Sequence, residues 1–312
     1  RTLRVGAIQM NYTLEEKKGA TLERRRRLSA RFLKTLRGLE SNRYDLLIGS
    51  EGAYPLYWDL GVDERAEGAT GSVATEATRA VQGALASGPG VHAILGGLRR
   101  PPGEQLHNSA VHLGPDGKIE GSYDKTVLVP FGETMPLSDV FPALKNSVPG
   151  VGDFGRGDRP CRFEVLGERV ACGICYESIF PGFTRDTAGD DASMLVNLTI
   201  DVWFGRSTAP WFHLMVQSSR AAELGLPLIR SALTGVSAIV GPDGVPIQVL
   251  GLGETGVLEA DVELRDLVTP YRVVGPLFAW LCVLLSAGVL FTAARRRTHD
   301  SAPTSGADGA AG

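Results

Sequence analysis

Val170-Ala171-Cys172-Gly173-Ile174-Cys175-Tyr176-Glu177 is the stretch on which the reading of this chain turns. Small and branched apolar residues suited to a buried strand stop abruptly at a cysteine, and an aromatic residue and a carboxylate follow. A strand end holds such a cysteine rigidly and leaves its sulfur free to face a cleft. Working outward, Glu51 follows the apolar run Asp45-Leu46-Leu47-Ile48-Gly49-Ser50. Lys125 closes Tyr123-Asp124-Lys125, just ahead of Val127-Leu128-Val129-Pro130-Phe131-Gly132-Glu133. A thiol, a carboxylate and an amine thus each come just after a strand-like segment, matching a nucleophile, a general base and a charge stabiliser. A lone cysteine in such a place is most often an inert small hydrophobe, so the weight lies on the combination.

Strand-like runs occupy residues 3–9, 46–49, 93–97, 109–113, 169–174, 194–198, 237–240 and 256–260. Helical patterns fall between them at 14–39, 70–85 and 211–224, the first with a stripe of Leu22, Leu28, Phe32, Leu33 and Leu36. Two Gly-Pro-Asp-Gly segments, Gly114 to Gly117 and Gly241 to Gly244, put Asp-Gly between apolar runs and predict hairpins. The pattern predicts an α/β protein with a mixed sheet covered by helices.

The 312 residues carry a formal net charge of -3, which gives no reason to expect a nucleic-acid partner. Four cysteines exclude a disulfide scaffold. Cys172 and Cys175 form a C-x-x-C, but odd spacing on a strand sends them to opposite faces. No second pair completes a zinc site, so neither metal nor cofactor is expected. The run Arg24-Arg25-Arg26-Arg27 lies in the first helical pattern as a solvated face or a patch for anionic head groups.

Residues 273–294 hold no charge and include Trp280 and Cys282. That is long enough to cross a bilayer core of about 30 Å. Arg295-Arg296-Arg297 follow, so the positive-inside rule keeps this end in the cytoplasm and puts residues 1–272, the expected catalytic domain, on the other side. Residues 295–312 are expected to be a basic, disordered cytoplasmic tail. The chain starts at Arg1 without an export signal, which is the expectation for a fragment.

In the order and local context of Glu51, Lys125 and Cys175, the chain resembles the nitrilase (carbon-nitrogen hydrolase) superfamily. Within it the resemblance is to the catalytic domain of bacterial apolipoprotein N-acyltransferases, from about Arg4 through the C-terminal apolar segment. The resemblance implies an α-β-β-α sandwich and a Glu–Lys–Cys triad of Glu51, Lys125 and Cys175. It puts Glu133, Tyr176 and Glu177 in support of the active site, the two glutamates by pairing with Lys125 and Tyr176 by its backbone N–H. Tyr57, Trp58, Trp203 and Phe204 are candidates to touch lipid. Asn197, His213, Arg220, Glu223 and Arg230 also match the family and read as structural, His213 as a hydrogen-bonded residue.

Three positions depart from the family pattern. Ser50 stands where proline is usual, Ile200-Asp201-Val202 replaces Asn-Asp before Trp203-Phe204-Gly205, and Ala232-Leu233-Thr234-Gly235 replaces Asn-Thr-Gly. The function implied is transfer of a fatty acyl chain from a phospholipid, through a Cys175 thioester, to the α-amino group of a diacylglyceryl-cysteine on a lipoprotein. The setting implied is the bacterial inner membrane, with catalysis on its periplasmic or outer face. An upstream bundle of membrane helices is expected outside this chain. The rivals are a membrane-tethered nitrilase-type amide hydrolase and a non-catalytic lipid-binding fragment.

Overall fold

The computed structural model describes residues 1–17, 21–61, 72–138, 140–141, 143–144, 151–264 and 267–300. The chain divides into two compact units, Arg1–Arg272 and Val273–Gly312.

Two mixed sheets build the first unit. One has the order β13 (Gly256–Glu263), β1 (Thr2–Gln9), β2 (Leu46–Gly49), β4 (His92–Arg99), β5 (His107–Leu113), β6 (Ile119–Asp124), with the short β3 (Tyr57–Trp58) also paired to β4. The other runs β12 (Pro246–Leu250), β11 (Ser237–Val240), β10 (Leu228–Ala232), β9 (Ala192–Thr199), β8 (Glu168–Ile174), β7 (Cys161–Val165).

The period of two in each strand sorts side chains into layers. Leu46 and Ile48 of β2 and Val170, Cys172 and Ile174 of β8 enter one core between the sheets. Leu47 faces outward into a second core with Leu28, Phe32 and Leu36 of α2 (Leu22–Arg37) and Val81, Ala84 and Leu85 of α3 (Val73–Ser87). Ala171 and Leu195 face outward into a third, with Ala188 of α4 (Pro181–Ala188) and Leu214, Ala221 and Leu224 of α5 (Ala209–Leu224). The result is the expected four-layer α-β-β-α sandwich.

Both expected hairpins form, joining β5 to β6 and β11 to β12. Each turn rests on a glycine in the left-handed region, Gly117 (φ 80) and Gly244 (φ 81). The expected first helix is instead two. α1 is Leu14–Lys17, and Thr21 then caps a separate α2 by accepting from the Arg24 N–H. Thr70 and Gly71 of the expected second helix lie outside the described residues; the helix starts at Val73 behind its Ser72 cap.

In the second unit the apolar helix also differs from expectation. α6 (Pro270–Val274) ends at Gly275 (φ 59), so α7 starts at Leu277 rather than at 273. Its backbone continues to Asp300, which makes residues 295–300 helical where a disordered tail was expected; 301–312 lie outside the described residues. Leu277–Arg295, with mean hydropathy 2.2 over its apolar window, is long and apolar enough to cross a membrane by length and composition.

Candidate active site

Glu51 sits on the turn after β2, which crosses the backbone of β4 closely. A Cβ at Gly96 would lie 2.4 Å from the Ser50 carbonyl oxygen and 2.8 Å from the Glu51 Cα, so only glycine allows this crossing. Glu51 is 7% exposed, and its Oε1 accepts from Asn108 Nδ2 of β5 at 2.6 Å. Lys125, 1% exposed, directly follows β6, where its own N–H binds the Asn108 carbonyl at 2.8 Å. Its Nζ is 2.9 Å from Glu133 Oε1 and 3.8 Å from Glu51 Oε1. Glu133 also accepts from Asn108 Nδ2 at 3.1 Å and from the Val129 N–H at 2.9 Å. Asn108 therefore ties both carboxylates into one buried cluster around a single ammonium. Burial lowers the Lys125 pKa, but Glu51, Cys175 and Glu133 together outweigh it, and the net shift is upward.

Cys175 is the first residue past β8 and takes φ 51, a left-handed conformation uncommon for a side chain with a Cβ. Two anchors hold it there. The Ile174 N–H donates to Glu177 Oε2 at 2.8 Å, and Asn197 Nδ2 of the neighbouring β9 donates to the Gly173 carbonyl at 3.2 Å. The thiol is pushed up to about 12 by burial first and then by Glu51, against the opposing pull of Lys125. Lys125 therefore favours the thiolate, but burial and Glu51 together outweigh it.

Glu177 does not pair with Lys125, which corrects that part of the expectation. It is fully buried, and Oε1 accepts from the Tyr123 hydroxyl at 2.7 Å and from the Thr126 and Val127 N–H groups at 2.7 and 3.0 Å. One carboxylate thus clamps the end of β8 to the segment that carries Lys125. Glu133 does pair with Lys125, as expected. Tyr176 is half-buried, its ring edge-on to Phe180 with centroids 5.0 Å apart.

A second buried network lies behind Cys175. Arg230 of β10 and Asp201 form an ion pair with both side chains at 0% exposure. His213 Nδ1 lies 2.8 Å from the other Asp201 oxygen, and Gln217 bridges His213 Nε2 to Arg230 Nη1. Burial lowers the His213 pKa despite the opposing pull of Asp201, which favours the neutral imidazole between Asp201 and Gln217. Gly235 makes room for the pair, since a Cβ there would stand 1.9 Å from Asp201 Oδ2. His213 is hydrogen-bonded as expected. The altered Ile200-Asp201-Val202 still supplies the aspartate.

The four lipid candidates separate. Trp203 and Phe204 are 66% and 44% exposed. Tyr57 is half-buried beneath the Arg25 guanidinium, 5.6 Å from its ring centroid. Trp58 is a core residue at 3% exposure, packed 5.2 Å from the Tyr54 ring, and its expected lipid contact is corrected. It is buried because it stacks in the core beneath α3. Asn108 and Gln217 escaped the sequence reading. Asn108 left little signal, because it sits in the polar lead-in His107-Asn108-Ser109, just ahead of the strand-like run at 109–113.

The chain matches the carbon-nitrogen hydrolase family over residues 4–271. A protein named apolipoprotein N-acyltransferase from Geobacter metallireducens is 37% identical over 198 residues, 63% of this chain and 38% of that protein. One of the same name from Caulobacter vibrioides is 35% identical, covering 79% of this chain and 46% of its own length. The chain thus spans less than half the length of these relatives. Among solved structures, an amidase of the nitrilase superfamily from Nesterenkonia AN1 shares the fold, with a TM-score of 0.59 at 18% identity over 85% of this chain and 92% of that one. With the family match running from β1 almost to the start of the apolar helix, the chain belongs to the carbon-nitrogen hydrolase family.

Proposed function

We propose that this chain is the catalytic part of a membrane N-acyltransferase that moves a fatty acyl group from a phospholipid to the N-terminal amine of a diacylglyceryl lipoprotein. One observation supports the chemistry: Glu51 and Lys125 lie 3.8 Å apart in one buried cluster, and both act electrostatically on the thiol of Cys175, which sits on a left-handed turn. The substrates are argued from the name borne by the relatives. Glu51 takes the Cys175 proton as sulfur attacks the ester carbonyl. Lys125 stabilises the developing oxyanion, together with the Tyr176 N–H. The carbon–oxygen bond breaks, the proton passes from Glu51 to the leaving alkoxide, and a lysophospholipid departs from the thioester. The lipoprotein amine then attacks the thioester, Glu51 takes its proton, and the amide forms as the thiol is regenerated. A neutral resting thiol suits this order, since proton transfer waits for the donor.

The apolar helix carries the membrane setting, and Arg295-Arg296-Arg297 at its end support a cytoplasmic C-terminus with the catalytic unit on the outer face. The test is the full chain in phospholipid vesicles with a fluorescent donor and a diacylglyceryl lipopeptide. Acylated lipopeptide, with an acyl mass on Cys175 that disappears in Cys175→Ser, is the expected result. Free fatty acid with unmodified lipopeptide would instead identify a hydrolase, and no adduct at all would leave only lipid binding.

A further inference from the structure

At the end of the first sheet remote from Glu51, three side chains converge. His92 opens β4, His112 lies on β5 and Glu120 on β6. His92 Nδ1 and His112 Nε2 are 3.2 Å apart, and Glu120 Oε2 lies 3.5 Å from each. Donors around a tetrahedral zinc, with bonds of about 2.0–2.1 Å, stand roughly 3.3–3.4 Å from one another. The triangle has the size of one face of that tetrahedron.

A backbone irregularity makes the triangle possible. His112 pairs with Gly121, but Leu113 pairs with Ile119, so Glu120 is an extra residue in β6. Gly121 faces Phe163 of the opposite sheet, and strict alternation would turn Glu120 away from that side. The bulge brings its carboxylate back to His112, a known use of such irregularities. His112 is 2% exposed and stacks on His92 with centroids 5.4 Å apart, while the Glu120 side chain is 41% exposed. Two ligands are therefore fixed by the sheet, and the third lies at the solvent edge, leaving the fourth position open to water.

We propose that His92, His112 and Glu120 form a binding site for a divalent transition metal of the zinc class, which laces β4, β5 and β6 together away from the acyl-transfer site. Two imidazoles and one carboxylate are a donor set that zinc accepts. By strand rise the site is about 13–17 Å from the Glu51 and Lys125 ends of these strands, so its role is to stabilise the sheet. No sequence motif announced it, because the ligands come from three separate strands, and it departs from the expectation of no metal.

The test is metal-stripped full-length protein titrated with ZnCl2 and, separately, with Co2+. Expected are one bound equivalent, a tetrahedral Co2+ visible spectrum and a rise in Tm. Glu120→Gln, at a half-exposed position outside the core, weakens binding tenfold or more, as does His92→Gln. Cys175→Ser binds like the parent. Binding that survives both ligand variants, or that vanishes in Cys175→Ser, overturns the proposal, as does the lack of any Co2+ spectrum in folded protein.

Discussion

The two buried polar networks beside Cys175 use similar parts to opposite ends. Around Lys125, two carboxyl groups share one ammonium and one amide, with Glu51 3.8 Å from the nitrogen and Glu133 at 2.9 Å. Around Arg230, one carboxylate meets one guanidinium, and a neutral imidazole and an amide absorb the remaining hydrogen bonds. The second network is closed in charge and in donors. The first sets two carboxyl groups against one ammonium, and one of them, Glu51, acts on a thiol. A balanced buried ion pair reads as scaffold, whereas an acid that biases a neighbouring thiol fits the reactive role proposed above.

The comparison breaks most readily at Glu51. Glu51→Gln should cut acyl transfer by about 10²–10⁴-fold while leaving the denaturation midpoint near the parent's, since it removes the charge and keeps an oxygen that accepts from Asn108. A large loss of stability would mean that this cluster is scaffold too. Arg230→Met tests the other side. It strands Asp201 without its cation and should cost about 3–5 kcal/mol in urea unfolding, and a second change, Asp201→Leu, should recover much of that. If Arg230→Met were silent in stability, the assignment of scaffold would fail.

A finer test reads the thiol itself. With its pKa pushed up to about 12, Cys175 is almost wholly protonated at neutral pH, so alkylation by iodoacetamide should be slower than for an unhindered thiol and should climb with pH beyond 9. Because Glu51 raises this pKa, Glu51→Gln should speed alkylation, by about threefold or more, even as it slows acyl transfer. Fragmentation of the peptide that carries both Cys172 and Cys175 assigns the alkylated sulfur, and separate peptides report Cys161 and Cys282. Equal rates in the two proteins would show that Glu51 does not act on the sulfur. The smallest effect is expected at Trp203→Ala, within about 0.5 kcal/mol in stability because the ring is exposed. Trp58→Ala, in the core, should cost about 3–5 kcal/mol.

Where local pattern governs, the sequence was readable. The apolar runs of β1, β2, β8 and β11 and the two Asp-Gly turns follow from side-chain period and turn chemistry. β10 was hidden because its Leu-Ile-Arg-Ser-Ala run carries an arginine that only its partners Asp201 and Gln217 make tolerable inside a sheet. β7 alternates cleanly between buried and exposed but is only five residues long. In the site, the positions of Glu51, Lys125 and Cys175 after strands were legible. What Glu177 does was not, because a carboxylate's partners depend on which backbone N–H groups the tertiary fold brings to it. Trp58 shows the same limit, since aromatic residues in a loop-like stretch carry no mark of which side of the chain is covered.

The missing side chain at Gly96 has a consequence for how this fold can vary. Even a methyl group there would collide with the loop bearing Glu51, displacing the acid without changing any ionisable atom. Position 96 is therefore a steric dial on where Glu51 stands, set wholly inside the sheet, and substitutions at it should be read as changes to the placement of that acid rather than to the framework.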